Sequence, residues 1–284
     1  MNSEIVFQRI EQSTNLPVLS TEMKEILYML QYPADLDVDS LVSKISKQEE
    51  LNIIIIKCLN TGYFQLDRKI TSIKDAIMLL GLKTIQNLLI FFVSRMLFPE
   101  QDSKRHRFDM YSYWKHVLGT SVAAHLLSVR LNIGDKYKLF TYGLVHDIGI
   151  PVMDACMPDE LDLVGKKIEE GVHQLVAEKT VFSISHAEIG AWLCRRWNIR
   201  EDIVNIVEYH HTPFFATKHT QEVLLMHIAD VISSEYCAKL MGGNIYRRIS
   251  DRIMNKLGIT EEDYRYVYRK LPLEIEKINY FLTL

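Results

Sequence analysis

The sequence predicts an all-α protein built as two helical lobes. Glycine and proline are sparse, 12 and 7 among 284 residues. Apolar residues recur at helical spacing through most of the chain. Alternation of Val, Ile and Thr of the kind a strand needs is hard to find over more than four residues. Apolar residues make up 48% and charged residues 24%, the balance of a globular protein with a sizeable core. A formal charge of −3 provides no general attraction to nucleic acid or anionic membrane, although a local basic patch is compatible with it.

The first lobe is punctuated clearly. Leu16-Pro17 opens the fold, and a helix is expected from about Ser20 to Leu30, with Pro33 breaking the chain after it. Helices follow near Asp39–Lys47 and Glu49–Leu59, and Asn60-Thr61-Gly62 is a stop signal. Ser72 with Asp75 resembles a capping box short by one methylene, opening a helix that ends at Gly81. A long apolar helix runs from Leu82 to about Leu97. Its most apolar part, Asn87 to Phe98, is about a dozen residues, against roughly 20 for a bilayer crossing, so it reads as buried in a soluble domain. The polar stretch Pro99–Arg107 marks the boundary between a lobe of residues 1–100 and one of residues 101–284. Four scattered cysteines, Cys58, Cys156, Cys194 and Cys237, form no CxxC pair, and no secretory signal is legible; reduced thiols in a cytoplasmic protein are expected.

In the second lobe a helix from about Met110 to Leu131 carries His116. Another, from about Lys136 to Val145, delivers His146 and Asp147 at its end, where Gly149 and Pro151 stop it. Residues 155–180 carry no clear pattern. Ser185-His186-Ala187-Glu188 is a capping box for a helix reaching Trp197, and a further helix from about Glu201 ends at His210-His211. A helix from Thr220 to Leu240 carries Asp230. Thr260 with Asp263 starts a last helix that Pro272 must kink or break.

Seven side chains with metal-ligating chemistry therefore recur in order: His116, His146, Asp147, His186, His210, His211 and Asp230. Adjacent His146 and Asp147 sit between apolar residues, and a buried carboxylate is costly unless something positive compensates it. A divalent cation does so, and imidazole with carboxylate suits Fe, Mn, Mg, Zn or Ni better than Ca. Singly, each has a blander reading. Asp230 reads as a structural carboxylate at the edge of an apolar stripe and His116 as a hydrogen-bonded core histidine. His210-His211 suits a polar helix terminus, and His186 a first-turn polar residue. His106, His125, His173, His219 and His227 fit no pattern and are taken as surface or structural.

The order His116, His146-Asp147, Asp230 resembles the signature of the HD superfamily of metal-dependent phosphohydrolases, and implies an HD-like helical bundle for the second lobe. His186, His210 and His211 resemble the histidines that hold a second metal in its cyclic-dinucleotide phosphodiesterase branch, HD-GYP. Two departures speak against that activity. The branch usually has Lys after His-Asp-Ile-Gly, where this chain has Ile150, and its Gly-Tyr-Pro motif is replaced by Thr212-Pro213-Phe214-Phe215. A second resemblance covers roughly residues 14 to 240. Leu16-Pro17, Ile56–Phe64, Ile70–Ile77 with Leu80-Gly81-Leu82, Trp114-Lys115-His116, Gly143–Gly149, His186–Ala191, Trp197 and His210-His211 are similar to the HDOD (HD-related output domain) family. That likeness implies a bacterial, signalling-associated regulator. With no receiver domain ahead of it, the chain is expected to take its input from a protein partner.

If the site is live, the resemblance implies one ion on His116, His146, Asp147 and Asp230, and a second on His186, His210 and His211 with Asp147 as bridge. Asp147 and Asp230 are then the catalytic carboxylates, Asp230 as proton acceptor, and Glu188 is a candidate to orient His186. The leading expectation is regulation through a partner with a retained metal site; the alternative is a phosphohydrolase or phosphodiesterase acting on a nucleotide or cyclic dinucleotide. A lesser alternative, nucleic-acid binding by the helix–Gly81–helix segment 72–97, is opposed by the apolar run Leu88–Val93, which predicts a buried helix.

Overall fold

Side-chain caps mark the start of several of these helices. The computed structural model describes residues 2–32, 36–60, 68–98, 108–240 and 249–278, and all regular structure in them is helical. The first lobe comprises α1 (Ser3–Gln12), α2 (Thr21–Gln31), α3 (Val38–Lys47), α4 (Glu49–Leu59), α5 (Ile73–Leu80) and α6 (Leu82–Leu97). Asn2, Ser20, Asp37 and Ser72 each accept a backbone N–H of the first turn of α1, α2, α3 and α5. At Ser72 the box is half made: Ser72 Oγ accepts from the Asp75 N–H, while the shorter Asp75 carboxylate bonds the Thr71 hydroxyl instead.

Helix α1 lies ahead of Leu16-Pro17, where the sequence placed the opening. Only Val6 and Ile10 of it are buried, too few apolar positions to set a period. Asn60 explains part of the stop signal after α4: its amide donates to the Ile56 and Ile70 carbonyls and its Oδ1 accepts from the Ile70 N–H at 2.8 Å, tying the end of α4 to the residues just ahead of α5. Pro33, Thr61 to Phe64, Pro99–Arg107 and His106 lie outside the described residues.

The second lobe is arranged around α7 (Met110–Leu131), whose buried residues occur on every face, from Trp114 and Val117 to Ala124 and Leu127. Against it lie α8 (Lys136–Val145), α14 (Thr220–Leu240) and α16 (Glu261–Ile278). The order after α8 is α9 (Gly149–Cys156), α10 (Pro158–Glu169), α11 (Gln174–Phe182), α12 (His186–Arg196) and α13 (Glu201–Tyr209). A single 3-10 turn (Pro213–Phe215) leads to α14 (Thr220–Leu240), α15 (Asp251–Leu257) and α16 (Glu261–Ile278). Gly149 and Pro151, expected only to stop α8, form the first turn of α9, where a missing N–H costs nothing. The stretch without a pattern resolves into α10 and α11. Helix α16 continues through Pro272 instead of breaking there.

The lobes share one continuous core. Polar contacts join them: Arg200 Nη1 donates to the Gln31 carbonyl at 2.6 Å, and Thr141 Oγ1 to Asn87 Oδ1 at 2.6 Å. Helix α6 is thereby committed to the interface, with Leu88, Leu89, Phe91 and Phe92 buried, as its apolar run predicts and a groove-reading helix forbids.

Asp263 closes the start of α16. It accepts from the Thr260 hydroxyl and N–H, at 2.6 and 3.0 Å, and from Arg130 Nε at 2.7 Å. The Thr260 hydroxyl first, then Arg130, hold its carboxyl down at about 2. Because that lies below the unfolded-state value, its contribution to stability is complete above about pH 4 and is lost as pH falls through about 2. Asp263→Ala is therefore expected to cost about 1 kcal/mol at pH 7, by the usual worth of a helix cap. The difference from wild type should shrink steadily below about pH 4 and disappear only below about pH 2, read as urea midpoints at each pH.

Candidate metal centre

The seven sequence-predicted ligands converge. The corner between α8 and α9 carries His146 and Asp147 in its turn, held by Ile148 N–H to Val145 O and Ile150 N–H to Asp147 O. Around Asp147 the rings close in. Its Oδ1 lies 3.2 Å from Nε2 of both His186 and His210. Its Oδ2 lies 3.3 Å from Nε2 of both His116 and His146. Asp230 completes the other side, with Oδ1 3.3 Å from His116 Nε2 and Oδ2 3.5 Å from His211 Nδ1. His211 Nε2 sits 3.0 Å from His186 Nε2. Two overlapping groups could each hold a metal ion: His116, His146 and Asp147, and Asp147 with His186, His210 and His211. Within each, the ligand atoms all lie within 4.8 Å of one another.

Helix ends make this possible. Asp147 sits in a turn, and His186 and His210 sit at the first residue of α12 and just past the last of α13. Irregular termini aim side chains that a mid-helix spacing would splay. Mid-helix His116 and Asp230 reach the site because α7 and α14 lie side by side, with Ser233 Oγ donating to the His116 carbonyl at 2.9 Å. Asp230 is 2% exposed, so it is not an edge carboxylate.

In three of the histidines Nδ1 is anchored, which leaves Nε2 turned to the centre. His146 Nδ1 donates to the Gly143 carbonyl and His210 Nδ1 to the Val207 carbonyl, each at 2.8 Å. His186 Nδ1 donates to Glu178, 2.7 and 2.8 Å from its two oxygens, and Glu178 also accepts the His186 backbone N–H and the Gln174 amide. Anchors of this kind orient metal-ligating histidines. The orienter of His186 is thus Glu178 and not Glu188, whose carboxylate is used by the Ser185 cap. Glu178 stands in the stretch that showed no pattern, eight residues before His186, and no local spacing points to it. His227, set aside from the sequence, donates Nδ1 to the His210 carbonyl at 2.7 Å. It lies one turn before Asp230 on α14, a spacing that could have shown it.

The electrostatics compensate internally. Burial opposes charge on Asp147, yet His146 and hydrogen bonds with His116 and His186 hold its carboxyl well below the usual range. Burial likewise opposes charge on Asp230, and the hydrogen bond with His116, then His211, overcomes it. Burial also works against imidazolium. At His186 the Glu178 charge and the bond to Asp147 prevail and push it up to about 10, and at His116 bonds to Asp147 and Asp230 raise it well above its ordinary value. Burial and then neighbouring imidazoles push His210 and His211 down, leaving lone pairs available. Four atoms of the centre still make no hydrogen bond of good geometry, although Asp147 Oδ1 and His210 Nε2 lie 3.2 Å apart: His146 Nε2, Asp147 Oδ1, His210 Nε2 and Asp230 Oδ2. Buried polar atoms rarely go unpaired, and orphans that face one another fit a cation.

An all-helical fold with imidazoles and carboxylates gathered between helix ends defines an HD-like protein. The chain belongs to the HDOD family, whose HDOD domain matches residues 16–213. It is similar to an uncharacterized protein of Treponema pallidum (strain Nichols), 26% identical over 201 residues, a match covering 69% of this chain but 38% of that protein's length. Among solved structures it is similar to an HDOD domain protein of unknown function from Geobacter sulfurreducens (23% identity, TM-score 0.76, covering 99% of this chain and 96% of that one). It is also similar to a protein from Shewanella amazonensis SB2B provisionally named a phosphohydrolase (20% identity, TM-score 0.76, covering 98% and 97%). At these identities the likeness is one of fold.

Proposed function

We propose that this chain is a bacterial HDOD-type regulatory protein with a divalent-metal site, whose output is contact with a signalling partner. The observation that carries the metal site is the set of four orphaned atoms on His146, Asp147, His210 and Asp230. His116, His146, Asp147 and Asp230 would hold one ion; His186, His210 and His211, with Asp147 as bridge, a second. The mixed nitrogen and oxygen donors suit Fe, Mn, Mg, Zn or Ni. A cation bound there supplies Lewis acidity toward a phosphate oxygen.

The regulatory half rests on family membership and on Ile150, an aliphatic side chain just past Asp147, which offers a phosphate neither charge nor proton. No helix among the described residues is long and apolar enough to cross a membrane, so no span need be fitted to this role. The complete and oriented ligand set favours a second reading, a phosphohydrolase or phosphodiesterase on a nucleotide or cyclic dinucleotide. In it Asp147 organises the centre and Asp230 accepts a proton.

Protein purified without chelator should carry one or two ions per chain by elemental analysis. Reconstituted with Mn(II) or Fe(II), it should leave a panel of nucleotides, cyclic dinucleotides and nitrophenyl phosphates at background hydrolysis. Sustained turnover that disappears in Asp147→Ala would replace regulation with the enzyme reading. Absence of any ion after reconstitution would remove the metal site.

A further inference from the structure

We propose that the Tyr113 hydroxyl is the hydrogen-bond donor to an oxyanion of the phosphate class held at the metal centre. The inference rests on the metal reading above and adds a residue that no ligand motif includes. Tyr113 is 5% exposed, and its hydroxyl is buried without a hydrogen-bond partner. Leaving a phenol in that state costs stability, and a phenylalanine would avoid the cost.

Helical phase sets it on the face of α7 that carries His116. Tyr113, His116 and Thr120 are three and four residues apart and share one stripe of α7. His116 Nε2 on that stripe lies 3.3 Å from both Asp147 Oδ2 and Asp230 Oδ1, and 3.5 Å from Thr120 Oγ1. Trp114, with ring centroids 4.9 Å apart, and Phe108, at 5.9 Å, hold the Tyr113 ring in place. Burial first, and then the negative charge of Asp147, push the phenol well above its ordinary value, so the hydroxyl keeps its proton.

A neutral phenol is a poor metal ligand but a good donor, and it needs an acceptor. Asp147 and Asp230 do not serve, since neither bonds it. The acceptor we assign to it is an anionic oxygen that arrives with a ligand. A phosphate has several oxygens set tetrahedrally, so one can meet the centre while another meets Tyr113. With Ile150 just past Asp147, that turn brings no side-chain donor of its own.

The test is calorimetric titration of inorganic phosphate into wild type and Tyr113→Phe, each loaded with stoichiometric Mn(II), with metal content and melting temperature measured on the same samples. The expected result is equal metal content, an unchanged or higher melting temperature, and phosphate binding at least about tenfold weaker in the variant, as befits loss of one hydrogen bond to a charged group. Equal phosphate affinity in the two proteins would overturn the assignment. So would a wild type that holds metal and binds no phosphate. A wild type that takes up no metal would instead overturn the reading on which the assignment rests.

Discussion

Asp147→Ala is expected to strip the centre of metal entirely. No other side chain stands among as many of the rings: one oxygen faces His186 and His210, the other His116 and His146, at 3.2 and 3.3 Å. Removing it takes away a ligand from both groups that could hold an ion. Asp230 cannot substitute, because its Oδ1 is 4.0 Å from His146 Nε2 and it approaches from the opposite side. Elemental analysis should fall from at least one ion per chain to background. The second readout is thermal. A ligand at a hundred times its Kd stabilises the folded state by about 2.7 kcal/mol. For a chain of this size that is a rise of about 5–10 °C in melting temperature on adding Mn(II). The rise should vanish in Asp147→Ala and in Asp147→Asn, which keeps the shape and loses only the charge. A variant that retains wild-type metal content would show that Asp147 is not a ligand.

Much of this centre was legible in the sequence because its signals are local. His146-Asp147 and His210-His211 are adjacent pairs, and the Ser185–Glu188 box marks the first turn of α12, where His186 sits. Caps and stop residues gave α2 to α8 and α12 to α14 their bounds within a residue or two, because these signals are short-range: α2, α3, α5, α7, α8 and α12 each begin on a side chain that accepts a first-turn N–H. What escaped is what depends on a distant partner. Glu178 meets His186 only because α11 folds back against the start of α12, and within α11 it looks like any other acid. The role assigned to Tyr113 needs the position of Asp147, which lies in the turn between α8 and α9. Helix α1 has two buried apolar residues and makes its contacts far along the chain, with Phe7 stacked on Trp192 at 5.4 Å. Pro272 broke no helix, since by then α16 is already held through Val267 and Leu271, both fully buried. A proline forfeits one hydrogen bond, which such packing outweighs.

Gly149 is the position where a single methyl group should do most damage. Its role comes from a close approach between helices, as its backbone adopts no unusual conformation. A Cβ placed there would stand 1.9 Å from the His186 carbonyl oxygen and 2.8 Å from the Gly190 nitrogen. Both are backbone atoms of α12, so no side chain can swing aside; the whole start of that helix has to move outward. Gly190 repeats the constraint from the other face, where a Cβ would meet Val207 Cγ1 at 2.8 Å. Overpacking a tight core costs about 1–3 kcal/mol, and a clash between two backbones belongs at the upper end. Gly149→Ala should therefore lower the melting temperature by about 6–12 °C. The damage should also be chemical, because the displaced residue is His186. Its ring spans Asp147 and Glu178, and moving its backbone breaks the contacts to one or the other. If wild type takes up two ions, the variant is expected to lose the one on His186, His210 and His211 before the one on His116 and His146. Metal content near one ion per chain, against two in wild type reconstituted in parallel, is the signature. Unchanged stability and stoichiometry would mean that α9 and α12 are not as close as the glycine pair makes them.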